Sequence, residues 1–149
     1  MPKKLLKAYT TLEILVVIGI MVLITGMVIP VSLRQTKLNE ITTTGKDLHS
    51  SIFLQQQNSL NGKNNSAHGI YLETTGYWLF EGENFSNAIS KDYFPFGKGI
   101  VTTSTNTEIL FQQNTQKPDK EHNIFLNYSG YTFLIEINIE GVISSYANT

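Results

Sequence analysis

Cysteine is absent from this 149-residue chain, so no disulfide can close a loop or brace a domain. Histidine is scarce as well. His49, His68 and His122 are each predicted at a surface or helix cap, and none has a metal-type partner four residues on or an acidic pair beside it. The segment Glu81-Gly82-Glu83-Asn84 offers oxygen ligands, yet a calcium loop needs six or more in order. No acid, base and nucleophile set can be assembled from the remainder. The sequence therefore predicts a chain that is not an enzyme, with no cofactor, no metal and no catalytic residue. It also lacks an excess of positive charge, the formal net charge being −1. A nucleic-acid partner, whose footprint is basic, is a poor match.

Charge is missing most conspicuously from residues 14–33, twenty in a row. As a helix they reach roughly 30 Å, enough to cross the hydrocarbon core of a bilayer. Lys3, Lys4 and Lys7 precede the run, which predicts a cytoplasmic N-terminus and an exported remainder. Glu13 stands at its front, where a carboxylate is costly and tends to be functional. A secretory signal would have a shorter apolar core followed by a small-residue cleavage site, and residues 29–34 offer none. A plain membrane anchor explains the run and the lysines, but neither Glu13 nor the helical pattern that continues beyond.

The segment Lys7-Ala8-Tyr9-Thr10-Thr11-Leu12-Glu13 ahead of this run resembles the leader of type IV pilins and type II secretion pseudopilins. The resemblance covers about the first fifty residues. It implies cleavage between Ala8 and Tyr9, with Ala8 standing where the family usually has glycine. Tyr9 then becomes the N-terminus, its amine methylated by the same prepilin peptidase, and Glu13 the fifth residue. By the same resemblance, Glu13 pairs with the N-terminal amine of a neighbouring subunit and sets filament register. Pro30 becomes the twenty-second residue, where many members carry proline. It has no N–H to offer the Gly26 carbonyl and its ring crowds that same carbonyl, so a break or bend of the helix is predicted there. Losing the leader's three lysines takes the formal charge from −1 to −4. The absence of cysteine separates the chain from major pilins, whose C-terminal loop is commonly closed by a disulfide.

Beyond the apolar run, Leu38, Ile41, Gly45, Leu48 and Ile52 recur at spacings of three and four, one face of a helix. Lys37, Glu40, Lys46, Asp47 and Gln55 fall mostly elsewhere on the cylinder, and Asn61-Gly62 supplies a stop. Residues 62–69 read as a polar connector. Residues 70–73 and 77–80 read as a hairpin turned at Thr74-Thr75-Gly76, and 81–96 as an irregular surface loop. Weaker strands are predicted at 100–103 and 108–112, with a polar loop at 114–121. The clearest strands cover 123–127, 131–139 and 142–146, turned at Ser129-Gly130 and Glu140-Gly141. In the middle one, Phe133, Ile135, Ile137 and Ile139 share a face.

The predicted fold class is α+β: one long N-terminal helix, its first half transmembrane, with an antiparallel β-sheet packed on its second half, the pilin fold. The predicted organisation is a basic leader at 1–8, a transmembrane and assembly helix at 9–33, an amphipathic helix at 34–61 and an exported β-rich domain at 62–149. The order of elements, with Gly76-Tyr77-Trp78-Leu79-Phe80 and Asn138-Ile139-Glu140-Gly141, resembles H-type minor pseudopilins and FimT-like minor pilins. That likeness implies a minor structural subunit of a type IV pilus or type II secretion pseudopilus. Its implied partners are other pilin or pseudopilin subunits, the prepilin peptidase, the inner-membrane assembly platform and membrane lipid. Its implied place is the cytoplasmic (inner) membrane, then an extracellular or periplasmic filament. The alternatives are a FimT-like DNA receptor at a pilus tip, for natural transformation, or a plain membrane-anchored domain. A DNA receptor calls for clustered Lys or Arg, and here the basic residues are scattered.

Overall fold

A computed structural model describes residues 10–148, with side chains throughout except at 26–31 and 148. The chain divides into two units, Met1–Thr36 and Lys37–Thr149, and one helix, α1 (Thr11–Leu60), contributes to both. Thr10 caps α1: its Oγ1 accepts from the Glu13 N–H at 3.3 Å and its carbonyl from the same group at 3.0 Å. This Thr-x-x-Glu spacing is that of a capping box, and it places a carboxylate in the first turn, where the helix dipole favours it. The backbone stays helical through position 30. At the far end Gly62 adopts φ +62° and its N–H donates to the Ser59 carbonyl, the stop expected of Asn61-Gly62.

In the second unit eight strands form two four-stranded antiparallel sheets rather than the single predicted one. The first holds β1 (His68–Glu73), β2 (Gly76–Glu81), β3 (Ser90–Pro95) and β5 (Glu108–Phe111), in the order β3-β2-β1-β5. The second holds β4 (Val101–Ser104), β6 (His122–Tyr128), β7 (Tyr131–Ile137) and β8 (Ile143–Asn148), in the order β4-β6-β7-β8. Because β4 and β5 alternate between sheets, the chain crosses between them three times, at β3–β4, β4–β5 and β5–β6. The Thr102 N–H of β4 donates to the Thr74 carbonyl in the β1–β2 turn, which ties the two sheets together.

Three local predictions change. Residues 90–95 are strand β3, not loop; it is exposed along its whole length, so no buried alternation marks it in the sequence. Gly76 is the first residue of β2 rather than part of the turn, and a Cβ there would overlap the Tyr93 hydroxyl and the Phe94 carbonyl. It answers a close approach of β3. Strand β7 stops at Ile137, because Asn138 Oδ1 accepts from the N–H groups of Glu140 and Val142 and turns the chain. Ile139 is left 55% exposed. The Ser129-Gly130 turn holds as expected, with φ of +50° and +89°.

Both sheets bury their inner faces with the second half of α1. Ile41, Leu48 and Ile52 join Ile70, Leu72, Ile109 and Phe111 from one sheet and Ile124, Leu126, Phe133, Ile135 and Ile137 from the other. Gln55, expected on the outer side of the helix, is buried, as is Gln56, whose Nε2 donates to the carbonyls of Gln116 and Gly141. The apolar stripe thus ends in polar residues that serve backbone groups of the loops.

Ser59 shows how closely those groups are matched. Its Oγ donates to the Phe111 carbonyl at 2.7 Å and accepts from the His68 N–H at 2.9 Å, with no solvent exposure. Ser59→Ala leaves both partners buried and unpaired, at a cost of about 2–4 kcal/mol. A urea midpoint measured on the variant should fall accordingly, and Ser59→Thr, which keeps the oxygen, should fall less.

Candidate functional site

Leu12, Ile14, Leu15, Val16, Val17, Ile18, Ile20, Met21, Val22, Leu23 and Ile24 of α1 are all between 47% and 73% exposed. They cover the entire circumference, a pattern that belongs to a helix surrounded by lipid or other apolar helices. Withdrawing eleven such side chains from water is worth on the order of 10 kcal/mol or more. Gly19 opens a flat spot among them, with nothing within 4 Å of where a Cβ would stand. Thr25 satisfies its hydroxyl locally by donating to the Met21 carbonyl at 2.6 Å, as polar residues of apolar helices do. Among the described residues no helix is long and apolar enough to cross a membrane. The uncharged run of the sequence includes 26–31, whose side chains lie outside the description.

Of the residues singled out from the sequence, Ala8 and Tyr9 lie outside the described residues, as does the side chain of Pro30. Glu13 sits in the first turn of α1, directly ahead of the apolar surface. The helix cap accounts for its backbone N–H.

The second unit contains no cluster of three or more side chains able to hold a metal ion, among the described residues. Its histidines correct the expectation of surface positions, since His68 and His122 are buried. His68 donates from Nε2 to the Lys63 carbonyl at 3.1 Å. His122 faces the core because its register opposite Ile137 puts it there. Its Nε2 donates to Asp119 Oδ1 at 3.1 Å, while Nδ1 is buried without a partner. Burial lowers the His122 pKa, against the raising effect of Asp119. An unfolded histidine titrates near 6.5. As pH falls below that value, the unfolded chain takes up a proton that the folded one resists, so stability drops. Unfolding midpoints between pH 8 and pH 5 should therefore decline more steeply for the native chain than for His122→Gln.

Sequence reasoning missed an aromatic cluster on the outer face of the first sheet. Tyr71, Trp78 and Tyr93 stand side by side across β1, β2 and β3. Phe85, from the connection between β2 and β3, stacks on Tyr71 at 4.1 Å, and Lys91 Nζ lies 4.4 Å from its ring centre. Tyr93 packs on Trp78 at 4.8 Å. The available signal was the spacing of Phe85 and Tyr93 inside the segment read as loop. Beside it a cleft of about 750 Å³ is lined in part by the uncharged amides Asn65, Asn84, Asn87, Gln112 and Gln113, with Glu83 its single ionisable group.

Three basic side chains have separate partners. Lys117 pairs with Glu140 at 2.6 Å, Lys120 with Asp119 at 3.5 Å, and Lys37 donates to Ser129 at 2.9 Å. Glu40 meets the Tyr128 hydroxyl by a hydrogen bond that raises the tyrosine's pKa.

No protein-family model and no curated relative matches the chain in sequence. In three dimensions it is similar to the minor pseudopilin EpsH from the type 2 secretion system of Vibrio cholerae, with a TM-score of 0.57 at 9% identity, over 72% of this chain and 97% of that one. The chain has a pseudopilin-like fold.

Proposed function

We propose that this chain is a pilin-like structural subunit, a minor pseudopilin or minor pilin, rather than an enzyme. The observation that carries the reading is an apolar helix, bare on every side and headed by Glu13, in a chain whose fold is similar to a minor pseudopilin. On this reading the leader 1–8 is removed between Ala8 and Tyr9, and the Tyr9 amine is methylated. Residues 14–33 hold the subunit in the cytoplasmic membrane, with its β-rich unit outside. A prepilin peptidase and an inner-membrane assembly platform then deliver it into a type II secretion pseudopilus or a type IV pilus.

Within the filament the apolar side chains supply packing between helices, and Glu13 supplies register. Its carboxylate meets the amine of a neighbour's Tyr9, and any other register leaves a charge unmatched in hydrocarbon. Pro30 marks where the helix bends or locally opens as subunits pack. Intact mass and N-terminal sequencing of the protein from its native envelope test the processing. A chain starting at methylated Tyr9 is expected. A chain starting at Met1 or Pro2 would overturn the proposed maturation and leave a plain anchor.

A further inference from the structure

Two sheets present four edges, and three of them are protected against further pairing. Strand β3 carries Lys91, Asp92 and Pro95, residue types that discourage strand addition. Strand β4 has four residues. Strand β5 also has four, and its outer side is taken by the following segment through the Phe111–Pro118 bridge and the Asp119 N–H to the Leu110 carbonyl. Strand β8 differs. It has six residues, Ile143–Asn148, with no charge, proline or glycine, and among the described residues no strand pairs with its outer side.

The face beside that edge is apolar in one row only. Phe133, Ile135 and Ile137 point inward, so Leu134 points outward. Cross-strand register then lines up Thr103, Phe125, Leu134 and Tyr146 from β4 to β8. Phe125 is 37% exposed and Tyr146 is 53% exposed. The row thus runs across the outer face and stops at the open edge, on a large aromatic side chain.

We infer that β8 is a docking edge for β8 of a second copy of this chain, joined antiparallel into a continuous eight-stranded sheet. A strand without charge can face itself without like charges opposed. A two-fold axis perpendicular to the sheet keeps outer faces outer, and centring it on Tyr146 sets that residue opposite its own counterpart and Ser145 opposite Ala147. The apolar row then continues unbroken from one copy into the other. Such a contact is isologous and closes on itself, so it pairs subunits rather than propagating a filament. One strand buries far less than the roughly 1,600 Å² of a standard stable interface. The pairing therefore belongs to conditions where copies are concentrated. The inference rests on the sheet alone and not on the filament reading.

The chain has no cysteine of its own, which makes single-cysteine crosslinking clean. Full-length Tyr146→Cys, overproduced so that copies are concentrated in the membrane and oxidised mildly there, should convert largely to a disulfide-linked dimer, and Lys91→Cys on β3 under the same conditions should stay monomeric. Co-produced Ser145→Cys and Ala147→Cys chains should link to one another far more than either links to itself. Far-UV circular dichroism of each variant checks that the fold is retained. Absence of linkage at both 146 and the 145/147 pair, or equal linkage through Lys91→Cys, would overturn the inference. Either result leaves the N-terminal processing test unaffected.

Discussion

Glu13→Val is expected to insert and mature normally yet to enter filaments about tenfold less than the native chain, or worse. Valine adds apolar surface, so membrane insertion gains, and the apolar packing surface of residues 14–25 is untouched. If Glu13 sets register, as proposed, what disappears is the penalty on wrong registers. An ionised carboxylate costs on the order of 3 kcal/mol at mid-bilayer and less near the interface. Even half of that distinguishes correct from incorrect register by about tenfold. The helix cap offers a control, because Glu13 also sits three residues after Thr10. Glu13→Gln keeps a side chain able to complete the cap and removes the charge. If the charge sets register, Glu13→Gln fails like Glu13→Val; if the cap matters, it assembles. The measurement is the ratio of filament-bound to membrane-bound subunit. Normal incorporation of both variants would sink the register role.

Gly45→Leu should produce the largest loss of stability in the second unit. A Cβ at this position would overlap the ring of Phe133, because helix and sheet approach closely there. Phe133 is itself buried and belongs to the inner face of β7. A leucine has to displace the ring or push the helix away, at about 3 kcal/mol or more for such overpacking. That is a large part of the stability of a domain this size, and it lowers the thermal midpoint by about 10–20 °C. Gly19→Leu is the comparison. With nothing near its Cβ direction, it should leave the unfolding of the second unit unchanged. Thermal unfolding of the full chain in detergent, followed by near-UV circular dichroism, distinguishes the two.

The Gly45–Phe133 contact also shows where sequence reading stops. Gly45 was legible as a member of the helix stripe, since it keeps the three-and-four spacing of Ile41, Leu48 and Ile52. Phe133 was legible as inward-facing from its alternation with Ile135 and Ile137. That the two meet was not, because periodicity assigns a face and never a partner. His122 makes the same point: it opens a strand whose register opposite Ile137 carries it into the core, beside Asp119. Strand β3 escaped for the opposite reason. It is held by pairing with β2 and by the Trp78–Tyr93 contact while burying nothing of its own.

Local chemistry written into the chain determined the helix from its threonine cap to its glycine stop, the bare apolar surface ahead of the β-rich part, most strands, and the expectation of a pilin-like layout. Each of these follows from neighbours within a few residues, through capping, turn geometry or side-chain period. Tertiary structure alone decided that the strands divide into two sheets, that β5 returns to the first between β4 and β6, and that β8, among the described residues, is left as the unguarded edge. Those outcomes depend on which strand edges meet across long separations in sequence, and a backbone edge offers the same N–H and C=O groups whatever side chains it carries.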